Sequence, residues 1–176
     1  MRWLMKVLRA VDAINDWIGK MISFLPVPLV IVMAYEVIAR YVFGSPTSWA
    51  FDVGVIIFAI YVAMTGAYGL LHGAHVNVDI FYAYWSPRRR AIMDIITFIF
   101  ILGFCTAILW KGYQLMALSI KTWETFSTSS VGVPLYPIKI ALMVGTLLLF
   151  LQSLAKLARD VVTAITGRRL EPGGVV

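Results

Sequence analysis

The stretch His72–Arg90, HGAHVNVDIFYAYWSPRRR, closes on three consecutive arginines and lies between two apolar runs, Phe51–Leu71 and Ala91–Ile108. Each run holds about the 20 residues that a helix rising 1.5 Å per residue needs to cross a bilayer core. A connection this short that carries Arg88, Arg89 and Arg90 belongs on the cytoplasmic side, where short loops are enriched in Lys and Arg. The same three guanidinium groups are suited to anionic lipid headgroups. Once this loop is assigned, every other segment acquires a side.

The whole chain agrees with that reading. Of its 176 residues, 61% are hydrophobic and only 14% charged, and the mean hydropathy is +0.86. A water-soluble domain of this size would expose large apolar patches and aggregate. The class implied is an all-α integral membrane protein. The net charge of +6 is accounted for by basic residues facing the lipid surface, so nucleic acid is not an expected partner. A single cysteine, Cys105, excludes a disulfide framework and a metal-thiolate site. The start lacks the short apolar region and small-x-small cleavage pattern of a secretory signal.

Outward from the pivot, four crossings are expected at about 21–43, 51–71, 91–110 and 138–157. An amphipathic helix over 1–17 precedes them, and a cytoplasmic tail over 161–176 follows. Residues 18–160 form the four-helix transmembrane domain. In the N-terminal segment, Trp3, Leu4, Val7, Val11, Ile14 and Ile18 recur at helical spacing, with Arg2, Lys6, Arg9, Asp12 and Asp16 mostly opposite. That pattern lies in the membrane interface as an anchor. Pro26 and Pro28 fall near the inner end of the first crossing, and Gly44–Ser48 makes an outer turn without Lys or Arg. Asp52 opens the second crossing, where a helix N-terminus favours a carboxylate. Lys111 marks the outer edge of the third crossing, and Trp17, Trp49, Trp85, Trp110 and Trp123 fall near interfaces. Eleven Lys and Arg residues lie on inner segments against four (Arg40, Lys111, Lys121 and Lys139) on the outer side. That bias places both termini in the cytoplasm.

Few residues invite chemistry. Glu36 is a carboxylate in a membrane helix, a functional candidate by default. Arg40 stands one turn away on the same face and satisfies it as a structural ion pair, and a paired carboxylate is poorly suited to reversible protonation. His72 and His75, with Asp79, make at most a weak surface metal site, and the chain has no further His for haem. No nucleophile with its base, phosphate loop or paired catalytic carboxylates is present, so no enzyme and no cofactor is expected. The prolines lie at helix ends, so no crossing is broken at the midplane as in a transport site. What stands out is packing: Ala59, Ala63, Gly66 and Ala67 on the second crossing and Ala141 and Gly145 on the fourth let a partner helix approach closely. Trp123, Glu124 and Phe126 sit in a long outer loop that can meet a soluble protein.

Several residues carry a family resemblance in order and spacing. They are Glu36, Arg40, Tyr41, Phe43, Pro46 and Trp49 at the first outer turn, then His75, Val76, Asp79, Ser86 and Arg88 in the pivot loop. Glu124, Pro134, Lys139 and Gln152 complete the set. From about Asp12 to Asp160 the chain resembles the small membrane subunit, DctQ type, of tripartite ATP-independent periplasmic (TRAP) transporters. The resemblance implies a bacterial cytoplasmic (inner) membrane protein without catalytic or substrate-binding residues of its own. It also implies two protein partners, a large membrane subunit carrying the sodium and substrate sites and a periplasmic substrate-binding protein that delivers an organic acid. The small subunit would then be a scaffold for the moving large one. Two other classes remain open from the residues: a self-sufficient small exporter using Glu36, and the membrane anchor of a redox enzyme.

Overall fold

A computed structural model describes residues 2–73, 87–126, 132–166, 170–171 and 174–175. The expectations for His75, Val76, Asp79, Trp85 and Ser86, and for the side chains of Arg88 and Arg90, lie outside the described residues. Five helices are described: α1 (Arg2–Ile22), α2 (Pro26–Tyr41), α3 (Ala50–Leu71), α4 (Pro87–Thr122) and α5 (Tyr136–Thr166). In the tail, strands β1 (Leu170–Glu171) and β2 (Gly174–Val175) pair antiparallel. Among the described residues, four stretches are long and apolar enough to cross a membrane: Lys6–Tyr41, Ala50–Leu71, Ile92–Thr122 and Tyr136–Ile165.

The first of these stretches runs through α1 and α2 together. Between them, Ser23–Leu25 keep helix-like bonds, with the Phe24 amide donating to Met21 and the Leu25 amide to Ile22. Pro26 and Pro28 lack amide protons, so regular helix resumes only at Pro26, where the first turn needs none. The expected start at Met21 therefore falls in the last turn of α1. The kink does not throw α1 aside. Met33 lies against Gly54 and Gly19 against Tyr68, so fourteen residues of each strand of the pair separate the two contacts. One turn further, Asp16 meets His72 at 3.5 Å. α1 thus continues the antiparallel register that α2 begins along α3.

α5 is the central element. It runs parallel to α3, with Gly145 against Ala63 and Leu149 near Gly66. It runs antiparallel to α4, with Met143 against Gly112 and Lys156 over the Phe98 ring at 4.7 Å. Side by side the order is α2–α3–α5–α4, with α1 on α3 and α5. Among the described residues no broad contact joins α2 to α4, so the array is open rather than closed on itself. In consequence α2 buries only Glu36 and Ala39, and Val30, Ile31, Tyr35 and Ile38 are all more than half exposed. Such faces suit lipid or another membrane protein and would be untenable in water.

One expectation is displaced. Lys111 and Trp110 do not close the third helix; α4 continues eleven residues past Lys111 to Thr122, about 16 Å at helical rise. Hydropathy falls at Lys111, yet Leu115, Met116, Ala117 and Leu118 are good helix formers, and Ser119 is fully buried. Packing carries the helix onward where the apolar run stops.

Candidate partner-binding surfaces

The connection 42–49 and the described parts of a second, 123–126 and 132–135, share one end of the molecule, here the hairpin end. At this end α2 stops at Gly44, which takes φ +60° while the Ser45 amide donates to the Ala39 carbonyl at 3.0 Å. A left-handed residue is what a helix stop requires, and glycine adopts it without a Cβ penalty. The chain then folds back so that Thr47 reaches Glu36. Arg40 donates to Oε1 of Glu36, through Nε at 3.0 Å and through Nη2. The Thr47 amide donates to Oε2 at 3.1 Å, and so does its hydroxyl. Both carboxylate oxygens are engaged, and the side chain is 94% buried while that of Arg40 is half-exposed. The cluster ties the end of α2 to the turn before α3. Arg40 was readable as a partner four residues away; Thr47, eleven residues on, was not.

The second hairpin-end connection is also pinned. Lys139 donates to the Glu124 carboxylate. That hydrogen bond, with the charge of Lys139, holds the Glu124 carboxyl below the usual carboxylate range. The Phe126 amide donates to Val133 at 3.0 Å and the Leu135 amide to Glu124 at 2.8 Å, forming a small bridge around Thr125 and Pro134. Trp123 occupies the helix-ending position with φ +48°, while the Glu124 amide donates to the Ser119 carbonyl at 3.1 Å. A bulky residue rarely adopts that conformation, which costs on the order of 1 kcal/mol. The Tyr136 ring meets the indole edge-on at 6.0 Å, yet Trp123 remains 74% exposed. Phe126 is half-buried.

The small residues pack within the chain. Gly145, Ala67 and Ala141 are buried, and Ala63 presents its backbone to Gly145; Ala59 and Gly66 are half-buried. Sequence showed the pattern without showing that α3 and α5 answer each other. His72, the described histidine, bonds the Tyr68 carbonyl through Nδ1 at 3.1 Å and lies near Asp16.

At the opposite end lies a polar cluster of which the sequence singled out only Gln152, within the family resemblance, and no partner for it. Arg159 donates to Asp12 at 2.5 Å, Gln152 donates to Asp12 at 3.0 Å, and Asn15 donates to Gln152 at 2.6 Å. Asn15, Gln152 and Arg159 are all buried. No local spacing relates residues about 140 positions apart, so no sequence signal marks it. The cluster clamps the half of α1 that runs beyond α3 onto α5.

Residues 29–163, which include nearly all of α2 and α3–α5 to within three residues of the end, match the sequence model of the family described as tripartite ATP-independent periplasmic transporters, DctQ component. The chain belongs to the DctQ family. No curated protein matches it in a sequence comparison. As a DctQ component with four membrane-capable helices it is a multi-pass membrane protein and a part of a transporter. The matched span takes in both pinned connections of the hairpin end and Gln152 and Arg159 of the clamp. It leaves out α1, whose Asp12 and Asn15 complete that clamp.

Proposed function

We propose that this DctQ component is a non-catalytic scaffold, held in the bacterial cytoplasmic membrane beside a large TRAP membrane subunit. The large subunit would carry the substrate and couple its uptake to sodium. A periplasmic binding protein would deliver the substrate, an organic acid. The termini end, with Arg88–Arg90, faces the cytoplasm and anionic lipid headgroups; the hairpin end faces the periplasm. In this arrangement the exposed apolar arc of α1, with Ile14 and Trp17, sits at the inner leaflet.

The observation that carries the reading is the open order α2–α3–α5–α4 within the matched span. An open array offers broad helix faces to a membrane neighbour and spends its own small residues on stiffening itself. A domain that moves through a bilayer needs such a partner to remain fixed. Glu36 favours the same conclusion over an exporter: both its oxygens are engaged, so it supports architecture rather than proton exchange. At the hairpin end, Trp123 with Glu124 and Phe126 forms the contact for the binding protein, because an exposed aromatic held by its neighbours is the usual anchor of a protein interface.

The test is uptake in cells from which this chain has been removed. Restored uptake should require this chain and the large subunit together. Transport by the purified chain alone in liposomes, abolished by Glu36→Gln, would establish the exporter instead.

A further inference from the structure

Lys111 lies on a helix that continues well past it, and its depth can be read from the packing. The next residue, Gly112, meets Met143 of α5. Two residues on, Gly145 meets Ala63, fourteen residues into the 22-residue α3. Lys111 is thus level with the middle of a membrane-capable helix and about 16 Å below the end of α4. The lysine stem reaches roughly 6 Å, too short to bring its ammonium to the interface from there. Gln114 follows on the same side of α4. Both side chains are exposed, and among the described residues neither has a hydrogen bond or ion pair.

An ammonium and an amide turned toward hydrocarbon at that depth are costly, and such residues are found facing protein or water. The buried side of α4 carries Phe98, Cys105 and Ser119, so Gln114 points away from this chain's own helices. About three turns before Gln114 on the same side of α4, Gly103 has open space where a side chain would stand, which permits close approach of another backbone. α2, by contrast, is exposed but purely apolar over Val27–Ile31, as lipid allows.

We infer that the Lys111–Gln114 face of α4 docks a transmembrane helix of the large membrane subunit, and that this helix presents a carboxylate to Lys111 and a polar group to Gln114. The inference rests on the small-subunit reading above and names the face that serves it. The attraction supplied by the pair fixes both the depth and the rotation of the partner helix. Lipid could cover Phe100 or Phe104 equally well, but it offers no anion near the bilayer centre.

The experiment uses the full chain expressed together with the large subunit. A photo-crosslinking benzoylphenylalanine is placed at Gln114 or, separately, at Ile31 on α2. Crosslinking to the large subunit is expected to be at least tenfold stronger from position 114. Lys111→Glu is also expected to reduce recovered large subunit at least tenfold, with Lys111→Arg retaining it and the isolated chain's unfolding temperature unchanged in both. Crosslinks from 114 to lipid alone, or a Lys111→Glu complex as abundant as the native one, overturn this surface while the small-subunit reading stands. If the native chain never associates with a large membrane subunit, both fall together.

Discussion

Gly145 of α5 lies so close to Ala63 of α3 that a β-carbon built on the glycine would stand 2.1 Å from the alanine carbonyl oxygen. The two central helices therefore meet backbone against backbone at this point. Gly145→Ala is expected to force α3 and α5 apart at a cost of about 1–3 kcal/mol. Thermal unfolding of the purified chain in detergent measures it. Gly103→Ala, made where nothing lies within 4 Å, is the control and should leave the isolated chain as stable as the native one or slightly more so.

The Glu36 cluster makes a second prediction. Arg40→Ala leaves Oε1 of a buried carboxylate without its partner, and Thr47→Val removes one of the two donors to Oε2, keeping the backbone amide. Each variant should unfold several degrees earlier and assemble less complex, with the affinity of the assembled transporter for its substrate unchanged. Loss of substrate affinity with assembly intact would assign the pair to transport.

The clamp on α1 gives a comparison between two ion pairs. Arg159 and Asp12 are each about nine-tenths buried, whereas Lys20 and Asp16 pair at the surface. Removing one partner of a buried pair strands the other, so Arg159→Ala should cost about 3 kcal/mol. Lys20→Ala should change little, as exposed pairs contribute little. Spin labels on α1 and α5 should separate in the first variant and remain at their native distance in the second.

A pH dependence follows from Glu124. Its carboxyl is held low by Lys139, so the folded loop binds protons less readily than the unfolded chain does. The pair therefore contributes its full stability above the ordinary carboxylate range, about pH 4.3, and loses it as pH falls through the lowered folded value. Limited proteolysis of the 123–135 connection should show protection at neutral pH that disappears in acid. Glu124→Gln should lack that protection at neutral pH.

How much of this was readable beforehand depended on distance along the chain. Apolar runs of about 20 residues announced the four membrane helices, since lipid leaves the backbone little other choice. Glu36 and Arg40 were readable because four residues make one helical turn. Thr47 was hidden by the turn at Gly44, and Asp12, Asn15, Gln152 and Arg159 by sheer separation. Lys111 was expected near the end of its helix because hydropathy tracks the apolar run, whereas α4 continues to Thr122, and just past that end the Trp123–Tyr136 and Glu124–Lys139 pairs tie the chain to α5. The small-residue stripes were visible as stripes, but only packing shows that α3 and α5 use them on each other.

The central claim is that this chain works as one part of a larger membrane assembly. An affinity-tagged copy, produced at its native level and extracted from its own membranes in mild detergent, tests that most directly. A large multi-spanning polypeptide is expected to elute with it in a fixed ratio. A chain that elutes alone, or with a haem-containing enzyme, would contradict it.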